Sequence, residues 1–426
     1  MLIEFRVANF KSIRDEQVIS LVADKDKSHI KTHSFHTGIK SIPSVLKSAA
    51  IFGANASGKS NLIAALEFVH KLVRESSIIP QGSKFNIQPF RLDKSKLNKP
   101  SEFEVTFLIN QTRYQYGFAV NSERVTDEWL LVYEKAKPQE WFTRRYDIVK
   151  GKYNYKLGSH LKGKKKLWRD STRDNALFLS TAVQLNSEQL IPVFEWISEN
   201  LIFLGTNINF YPEDSIAMLN QDEKKNALID LVIKADIGIK HIKLESKKGR
   251  KETISLNPKQ KQESKIHSEE KEILVPFFLH ETDMGSALFN VFEESIGTQR
   301  LFYLAGPILE TLEHGKTLII DELDSSLHTF IVQWLISMFN SNKYNKKGAQ
   351  IIFTTHDTNL LNQDIMRRDQ IWFIEKDKNQ ATHIYSLSEF SPRRHEALGK
   401  GYLQGRYGAL PFIEDSDHID DIQTQR

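Results

Sequence analysis

One glycine-rich stretch has the residue types and spacing of a phosphate-binding loop. Residues 51–61 read IFGANASGKSN, in which Gly53, four residues, then Gly58, Lys59 and Ser60 form the pattern G-x4-G-K-S. The glycines permit a tight turn that brings successive backbone N–H groups close to a phosphate. The lysine of such a loop reaches the β- and γ-phosphates, and the hydroxyl after it binds Mg²⁺. The pattern therefore predicts a nucleoside triphosphate site.

The flanking residues indicate the local structure that this loop requires. The apolar run SAAIFG at 48–53 predicts a buried strand, and the segment 61–73 has Leu62, Leu66 and Val69 at helical spacing. A strand before the loop and a helix after it are the context in which the pattern binds phosphate. The helix dipole then adds a favourable field for an anion.

Two further apolar segments end in residues suited to hydrolysis. KTLIIDE at 316–322 ends in Asp321, which would hold Mg²⁺ through water, and in Glu322, which can polarise the attacking water. QIIFTTHD at 350–357 places His356 at the end of another strand. Ligands of doubly wound sheets bind at the carboxyl ends of strands, so we expect His356 to contact the γ-phosphate. A histidine that only completes a turn is the alternative.

A small polar turn precedes the first of these segments. EESIGTQR at 293–300 contains Ser295, Gly297 and Thr298 at a predicted helix N-terminus, which is a second potential anion site. Because the chain already has a complete phosphate loop, this site would cover the nucleotide of another subunit. An ordinary capped helix is the alternative.

Composition and charge bound the class of protein. The 426 residues are 40 % hydrophobic and 26 % charged, which suits two or three globular cores. The chain has no cysteine, so disulfides and thiolate metal sites are excluded. Without a signal peptide or an apolar run of about 18 residues, we expect a soluble, cytoplasmic protein with no membrane partner. The net charge of +4 says little about partners.

Two basic segments remain open to interpretation. LKGKKKLWRD at 161–170 is favoured as a solvated loop over a contact with a nucleic-acid backbone. The C-terminal RRHEALGKGYLQGRYGALP interleaves basic and aromatic residues, a pattern that can bind nucleic acid. Its glycines and apolar end favour a packed terminal segment.

Changes of pattern along the chain divide it into four predicted segments. Residues 1–95 form the first half of a nucleotide-binding core with the phosphate loop, and 96–165 form a β-rich insert. Residues 166–284 form a helical subdomain, within which the very polar stretch 246–273 is expected to be mobile or solvated. Residues 285–426 return to helix–strand–helix order and complete the core.

The order of these parts resembles the ABC-type ATPase heads of the SMC and RecF kind. The resemblance implies an α/β fold, an ABC-type P-loop ATPase head with an antiparallel β insert and a helical subdomain. SIGTQ takes the place of the Leu-Ser-Gly-Gly-Gln signature, keeping Ser295 and Gly297 and carrying Thr298 in place of the second glycine. LDSSLH at 323–328 matches the D-loop, with Asp324 at the dimer seam.

The resemblance also extends the set of ligand-binding residues. Lys11 of VANFKSI matches the basic residue that approaches the nucleotide, and Asn55 and Asn61 of GANASGKSN are implied nucleotide contacts. The Q-loop glutamine, a metal ligand, has two candidates. Gln184 is favoured, and Gln88 is the rival.

The similarity is closer to the stand-alone ATPases of phage-defence operons, the AbiL-, RloA-, AriA- and PtuA-like proteins. The shared motifs are NFKSI, GANASGKSN, PFRLD, ESIGTQRL, IIDELDSSLH, FTTHDTNLL and LGKGYLQGRYGALPFI. The resemblance implies ATP and Mg²⁺ as ligands and a homo-oligomer, a dimer or higher, built from ATP-sandwich dimers. It also implies a separately encoded effector, a Toprim or HNH nuclease or another toxin, with DNA or a phage protein as trigger. The alternative is a DNA-repair or chromosome-maintenance ATPase head that acts directly on DNA; a transporter ATPase is the least favoured.

Overall fold

The computed structural model describes residues 1–205, 212–235, 238–255, 265–393 and 396–411, with 248–255 and 265–271 described by their backbone alone. The chain divides into two compact units. The first comprises Met1–Thr206, Thr311–Asp324 and Val332–Arg426, and the second comprises Asn207–Glu310 and Ser325–Ile331. Among the described residues, no helix combines the length and the apolar character needed to cross a bilayer.

The strands, in chain order, are β1 (Leu2–Ala8), β2 (Gln17–Ser20), β3 (Ser34–Ile39), β4 (Ile42–Leu46), β5 (Ser48–Phe52), β6 (Ser101–Ile109), β7 (Thr112–Val120), β8 (Val125–Tyr133), β9 (Gln139–Asp147), β10 (Lys152–Leu157), β11 (Leu201–Leu204), β12 (Ile239–Ser255), β13 (Lys265–Thr282), β14 (Gly285–Asn290), β15 (Thr317–Ile320), β16 (Gln350–Thr354), β17 (Ile371–Lys376) and β18 (Thr382–Ser386). The helices are α1 (Ile30–His33), α2 (Lys59–Glu75), α3 (Lys165–Ser171), α4 (Phe178–Gln184), α5 (Ile191–Glu199), α6 (Glu213–Leu219), α7 (Lys225–Ala235), α8 (Ile296–His314), α9 (Thr329–Asn340) and α10 (Leu398–Leu403).

A six-stranded sheet forms the centre of the first unit. Its order is β11-β15-β16-β5-β17-β18, and every neighbouring pair is parallel except β17 with β18. The strands β5, β15 and β16 are buried along their whole length, which explains why their sequences are nearly continuous apolar runs. The three strands predicted at 48–53, 316–322 and 350–357 are these three. The expected α/β fold class, which includes an antiparallel β insert, is confirmed.

A seven-stranded antiparallel sheet forms the second layer of this unit, in the order β10-β9-β8-β7-β6-β1-β2. The β-rich insert therefore does not stand alone, because β6 pairs directly with β1 and extends the N-terminal sheet. Aromatic side chains fill the space between this sheet and α2. Phe68 of α2 has its ring centroid 5.1 Å from that of Phe103 and 6.1 Å from that of Phe10. This core fixes α2, and with it the phosphate loop at the start of α2.

A buried ion pair attaches the antiparallel sheet to α4. Glu128 and Arg144 are both fully buried, with a carboxylate-to-guanidinium distance of 3.7 Å. Glu128 also accepts hydrogen bonds from the backbone N–H groups of Phe178 and Leu179, at 2.6 and 3.0 Å, and from the Tyr116 hydroxyl at 3.0 Å. Burial raises the pKa of Glu128, and the Arg144 charge opposes that rise. The carboxylate thus caps the first turn of α4.

The second unit combines helices with a three-stranded sheet ordered β12-β13-β14. Within 166–284, predicted as a helical subdomain with a polar insertion, the regular elements described up to Ala235 are helices except for β11, and those from Ile239 onward are strands. The polar stretch lacks apolar alternation, yet β12 and β13 pair antiparallel from Ile239 to Ser255. Such pairing satisfies the backbone groups that the two strands turn toward each other, without any apolar pattern. The middle of the stretch, 256–264, lies outside the described residues.

Candidate active site

Three neighbouring parallel strands end beside one another at one edge of the six-stranded sheet. β16 lies between β15 and β5 and pairs in parallel with both. Gly53 directly follows β5, Asp321 directly follows β15, and His356 is the second residue after β16. Since the carboxyl ends of parallel strands lie on the same side, the sheet brings the phosphate loop, the acidic residues and the histidine together.

The phosphate loop requires both of its glycines for steric reasons. Gly58 has a φ of 115°, in a region that residues with a side chain rarely adopt. A Cβ on Gly53 would lie 2.3 Å from the carbonyl oxygen of Ile374 on β17. The buried Lys59 donates hydrogen bonds from Nζ to the carbonyl oxygens of Gly53 and Ala54, at 2.8 and 3.0 Å. The loop therefore wraps around its own lysine, with no space for a larger residue at either glycine.

Side chains from two distant segments hold the loop in place. The Thr382 hydroxyl donates to the carbonyl oxygen of Ser57 at 2.9 Å and lies 2.8 Å from the Ser12 hydroxyl. The side-chain amide of Asn61 donates to the Ser12 hydroxyl at 2.7 Å. Asn61, predicted to contact nucleotide, thus connects the first turn of α2 to the NFKSI segment. Asn55, also predicted to contact nucleotide, lies exposed within the loop.

Lys11 lies in a tight turn next to the contacts among Ser12, Asn61 and Thr382. Its φ is 49°, and its backbone N–H donates to the carbonyl oxygen of Gln88 at 2.8 Å. Its ammonium group lies 5.5 Å from the centroid of the Phe10 ring. Ser12, the next residue, contacts both Thr382 and Asn61, so the turn that carries Lys11 adjoins the phosphate loop.

The structure does not bring Gln184 to the phosphate loop. Gln184 is the exposed last residue of α4, in which the Ser180 hydroxyl donates to the carbonyl oxygen of Val73 at 2.6 Å. Val73 lies about 21 Å along α2 from Lys59, at the usual helical rise of about 1.5 Å per residue. The favoured metal-ligand assignment is therefore corrected, because α4 packs on the far half of α2. Gln88, the rival candidate, accepts a hydrogen bond at its backbone carbonyl from the N–H of Lys11. Lys11 precedes Ser12, whose side chain contacts Thr382 and Asn61 beside the loop.

The acidic side of the site is organised around Thr354. The Thr354 hydroxyl donates to Oδ1 of Asp321 at 2.6 Å and accepts from the backbone N–H of Glu322 at 2.7 Å. Glu322 itself has a left-handed φ of 53°. Oδ2 of Asp324 accepts from the backbone N–H of His356 at 3.1 Å, so the D-loop residue and the strand-end histidine are directly connected.

The pKa shifts place the lysine, the carboxylates and the histidine in one electrostatic neighbourhood. Burial lowers the pKa of Lys59, and the charges of Asp321, Glu322 and Asp324 oppose that effect. Burial also lowers the pKa of His356, followed by repulsion from Lys59, while the same three carboxylates again act in the opposite direction. A lowered pKa favours a neutral imidazole at physiological pH, and a neutral ring can still donate a hydrogen bond to a phosphate.

The residues present fit a magnesium nucleotide. Mg²⁺ takes oxygen ligands, commonly one or two from the protein with phosphates and waters completing the shell. The exposed Ser60 hydroxyl at the start of α2 and the Asp321 carboxylate supply such oxygens. Two further oxygens, Ser57 Oγ and Asp324 Oδ1, are buried without a hydrogen-bond partner within the described part of the chain. These orphaned atoms suit a site that receives a polar ligand.

The predicted signature residues lie in the second unit, at the start of α8. The Ser295 hydroxyl accepts from the backbone N–H of Thr298 at 3.1 Å and lies 2.9 Å from the Thr298 hydroxyl. A Cβ on Gly297 would lie 2.9 Å from the carbonyl oxygen of Ser326, in the D-loop segment of the same unit. Ser295 is therefore a helix cap, and Gly297 is a point of close backbone approach.

Three residues of this site were missed by sequence reasoning. Ser12 lies inside the NFKSI motif, so its position next to Lys11 was an available signal. Thr354 ends the apolar strand just before Thr355 and His356. A polar residue at that position, next to a predicted catalytic histidine, was an available signal. Thr382 has no such signal, because only the pairing of β17 with β5 brings the following strand to the loop.

A known protein family matches most of the chain. The sequence profile of a family described as "AAA domain, putative AbiEii toxin, Type IV TA system" matches residues 48–362. A search of curated proteins gives no significant match. The matched range begins at β5 and ends just beyond His356, so it includes the phosphate loop, both carboxylates and the histidine.

Two solved structures are similar to the chain at low sequence identity. One is entitled "Crystal structure of the SmcHead bound to the C-winged helix domain of ScpA", with 15% identity and a TM-score of 0.43, covering 90% of this chain and 97% of that chain. The other is an Smc head domain with an extended coiled coil, bound to the C-terminal domain of ScpA derived from Pyrococcus furiosus. It has 14% identity and a TM-score of 0.42, covering 92% of this chain and 97% of that chain.

Proposed function

The chain belongs to the family described as "AAA domain, putative AbiEii toxin, Type IV TA system", and from this premise we propose that it is a magnesium-dependent ATPase controlling a separately encoded effector in antiviral defence. The proposal has three parts, namely hydrolysis of ATP, assembly of subunits around the nucleotide, and control of a nuclease or toxin. Each part has its own support and its own test.

The observation that carries the first part is the meeting of three strand ends at one sheet edge. A phosphate loop, two consecutive carboxylates and a histidine follow β5, β15 and β16, which are hydrogen-bonded neighbours. Hydrolysis of a phosphoanhydride needs a cation and backbone donors for the phosphates, an oxygen ligand for Mg²⁺ and a group that orients water. Lys59 is the cation, and the loop has the backbone donors. Asp321 has the oxygen ligand, and Glu322 is the group that orients water.

The residues of the site divide the chemistry between them. The backbone N–H groups of the loop and Lys59 would bind the phosphates, and Ser60 and Asp321 would hold the metal ion. When bound, Mg²⁺ neutralises phosphate charge and orients the terminal phosphate. Glu322 orients and polarises the water, a task for which a carboxylate is much better than an amide. A neutral His356 donates a hydrogen bond to the terminal phosphate.

Assembly around the nucleotide is supported by the second potential anion site. The turn of Ser295 and Gly297 caps a helix, where N–H groups and the dipole favour negative charge. We assign this turn to the nucleotide of a neighbouring subunit, so that two chains enclose two nucleotides. Asp324 then lies at the seam between the subunits.

A mixing experiment tests this assembly. Lys59→Ala and Ser295→Arg are each expected to abolish hydrolysis, whereas their mixed dimer contains one doubly damaged site and one intact site. An equal mixture should recover about a quarter of the wild-type rate, since half of randomly mixed dimers carry one intact site. Ser286→Arg, at an exposed serine of β14 in the same unit, is the control and should remain active by itself.

Two results would contradict the shared site. If Ser295→Arg alone keeps full activity, the signature assignment fails. If the mixture exchanges subunits but neither hydrolyses ATP nor forms ATP-dependent crosslinks across the seam, the two-chain arrangement fails.

Control of an effector is supported by the family description, which includes the words toxin and TA system, and by the motifs shared with defence ATPases. Purification of the chain expressed from its native operon should recover a nuclease or toxin encoded next to it. Expression of the chain alone should leave the growth of the host cells unchanged. Growth arrest by the isolated chain would instead make it the toxin. Strong stimulation by duplex DNA without any protein partner would favour the DNA-maintenance alternative.

A further inference from the structure

Thr354 is the last residue of the central strand β16, and its position is unusual for a polar side chain. The residue is completely buried between β15 and β5. Its hydroxyl nevertheless reaches both acidic residues that follow β15. It donates to Oδ1 of Asp321 at 2.6 Å and accepts from the backbone N–H of Glu322 at 2.7 Å. The first distance is typical of a charge-assisted O–H···O⁻ hydrogen bond.

These contacts continue the sheet beyond the point where its ladder ends. The pairing of β15 with β16 stops at Ile320 opposite Phe353. After that pair, the Thr354 hydroxyl binds Asp321 and Glu322, and its carbonyl oxygen accepts from the backbone N–H of Leu323 at 3.1 Å. One residue of the central strand therefore holds three consecutive residues of the neighbouring segment.

The conformation of Glu322 shows why this attachment is needed. Its φ of 53° is in the left-handed region, which residues other than glycine, asparagine and aspartate avoid. Such a conformation persists only when surrounding contacts impose it. The hydrogen bonds that Thr354 makes on either side of the Glu322 α-carbon supply this constraint, so the direction of the glutamate side chain depends on the threonine.

Packing alone does not explain a threonine at this position. Valine has the same branched shape and the same preference for strands, and it would fill the same buried space. Valine would, however, leave the Glu322 N–H without its acceptor and Oδ1 of Asp321 without its donor. The hydroxyl is thus the group that distinguishes the residue present from its closest isostere.

We propose that Thr354 is a positioning residue that orients Asp321 toward the divalent cation and Glu322 toward the attacking water. This proposal rests on the proposed ATPase function. With Oδ1 of Asp321 fixed by the hydroxyl, the carboxylate is held in one rotamer, and its other oxygen faces away from that hydrogen bond. The same hydroxyl holds the Glu322 backbone, so cation binding and water activation share one support.

The test compares Thr354→Val, which deletes the hydroxyl, with Thr354→Ser, which retains it. Thr317→Val is the matched control, because Thr317 is a buried threonine at the opposite end of β15 whose hydroxyl donates at 3.3 Å to Gln350. Binding of Mn²⁺ in the presence of ADP, followed by electron paramagnetic resonance, measures the cation site without any turnover. The rate of phosphate release with saturating ATP, as a function of Mg²⁺ concentration, gives the second readout.

We expect Thr354→Val to weaken Mn²⁺ binding and to lower kcat by about 10- to 100-fold each, as is usual when a partner of a metal ligand is removed. Thr354→Ser and Thr317→Val should stay within about threefold of the wild type in both quantities. If Thr354→Val does not fold, Thr354→Ala provides the same deletion without a branched side chain. Thermal unfolding identifies the variants that are folded.

The outcomes separate the two proposals. A folded variant without the hydroxyl that binds Mn²⁺ and releases phosphate like the wild type overturns the role of Thr354, while the ATPase function stands. Loss of both properties in Thr354→Ser as well as in Thr354→Val also overturns it, because the hydroxyl would then not be the group that matters. A wild-type protein that binds nucleotide and Mn²⁺ but releases no phosphate refutes the ATPase function, and the Mn²⁺ comparison still tests Thr354.

Discussion

Replacing Gly53 with alanine tests whether the phosphate loop lies where the structure places it. The added Cβ would meet the carbonyl oxygen of Ile374 at 2.3 Å, whereas ordinary contacts begin at 3.4 Å. Ile374 cannot give way easily, because β17 is paired with β5 on one side and with β18 on the other. The loop must therefore move by about 1 Å, a displacement large enough to impair a catalytic site strongly.

The size of the effect follows from the hydrogen bonds that such a movement would lengthen. Backbone N–H···O bonds of about 2.9 Å become ineffective when they lengthen beyond about 3.5 Å. Each bond to a charged group contributes about 1.5–3 kcal/mol. Loss of two bonds should weaken ATP binding by at least about 3 kcal/mol, or more than about 100-fold in Kd. The strain should lower the free energy of unfolding by about 1–3 kcal/mol.

Equilibrium titration with a fluorescent ATP analogue measures the first effect, and urea unfolding measures the second. Gly205→Ala is the control, since a Cβ there meets no atom of the described residues within 4 Å and the residue has no positive φ. The control should bind the analogue like the wild type. Wild-type affinity in a folded Gly53→Ala protein would show that the loop is not confined by β17, and the account of the loop would be wrong.

Three further predictions concern the metal ion, the pH dependence of stability and the buried ion pair of Glu128 and Arg144. Ser60→Ala should weaken ATP binding by about tenfold, or about 1.4 kcal/mol, in Mg²⁺ but not in EDTA, as measured by titration. Burial lowers the pKa of His33 to about 4, so the unfolded chain binds more protons between that value and about 6.5. The contribution of His33 to the free energy of unfolding is complete above about pH 6.5 and should fall by about 2 kcal/mol by pH 5, as measured by urea unfolding. His33→Gln should remove this part of the pH dependence. An unchanged pH dependence would contradict the lowered pKa of His33. Arg144→Leu should lower the free energy of unfolding by about 3–5 kcal/mol because it leaves Glu128 buried without its charge partner, and adding Glu128→Gln should restore part of that loss.

The sequence was sufficient for the parts of the fold that have a local pattern. The buried strands β5, β15 and β16 are apolar runs followed by glycine, carboxylate or histidine residues. The strands at 101–157 show the alternation of apolar and polar residues that is typical of antiparallel strands. The order of the strands in the sheet was not available from these patterns. That β6 pairs with β1, and that β16 lies between β15 and β5, are long-range pairings that no single segment encodes.

One error has a definite physical cause. Gln184 was favoured as a metal ligand on its place in the chain, but a position in sequence does not tell which end of α2 a later helix will contact. The Ser180 contact with Val73 settles that question in favour of the far end.

The most direct test of the central proposal is the rate of phosphate release by Glu322→Gln compared with the wild type, at saturating ATP and Mg²⁺. We predict that the wild type hydrolyses ATP. The variant should bind ATP with an affinity within about threefold of the wild type and release phosphate at least about 100-fold more slowly, because the amide polarises water poorly. Equal rates in the two proteins would remove Glu322 from the catalytic role. No hydrolysis by a wild-type protein that binds ATP would contradict the ATPase account itself.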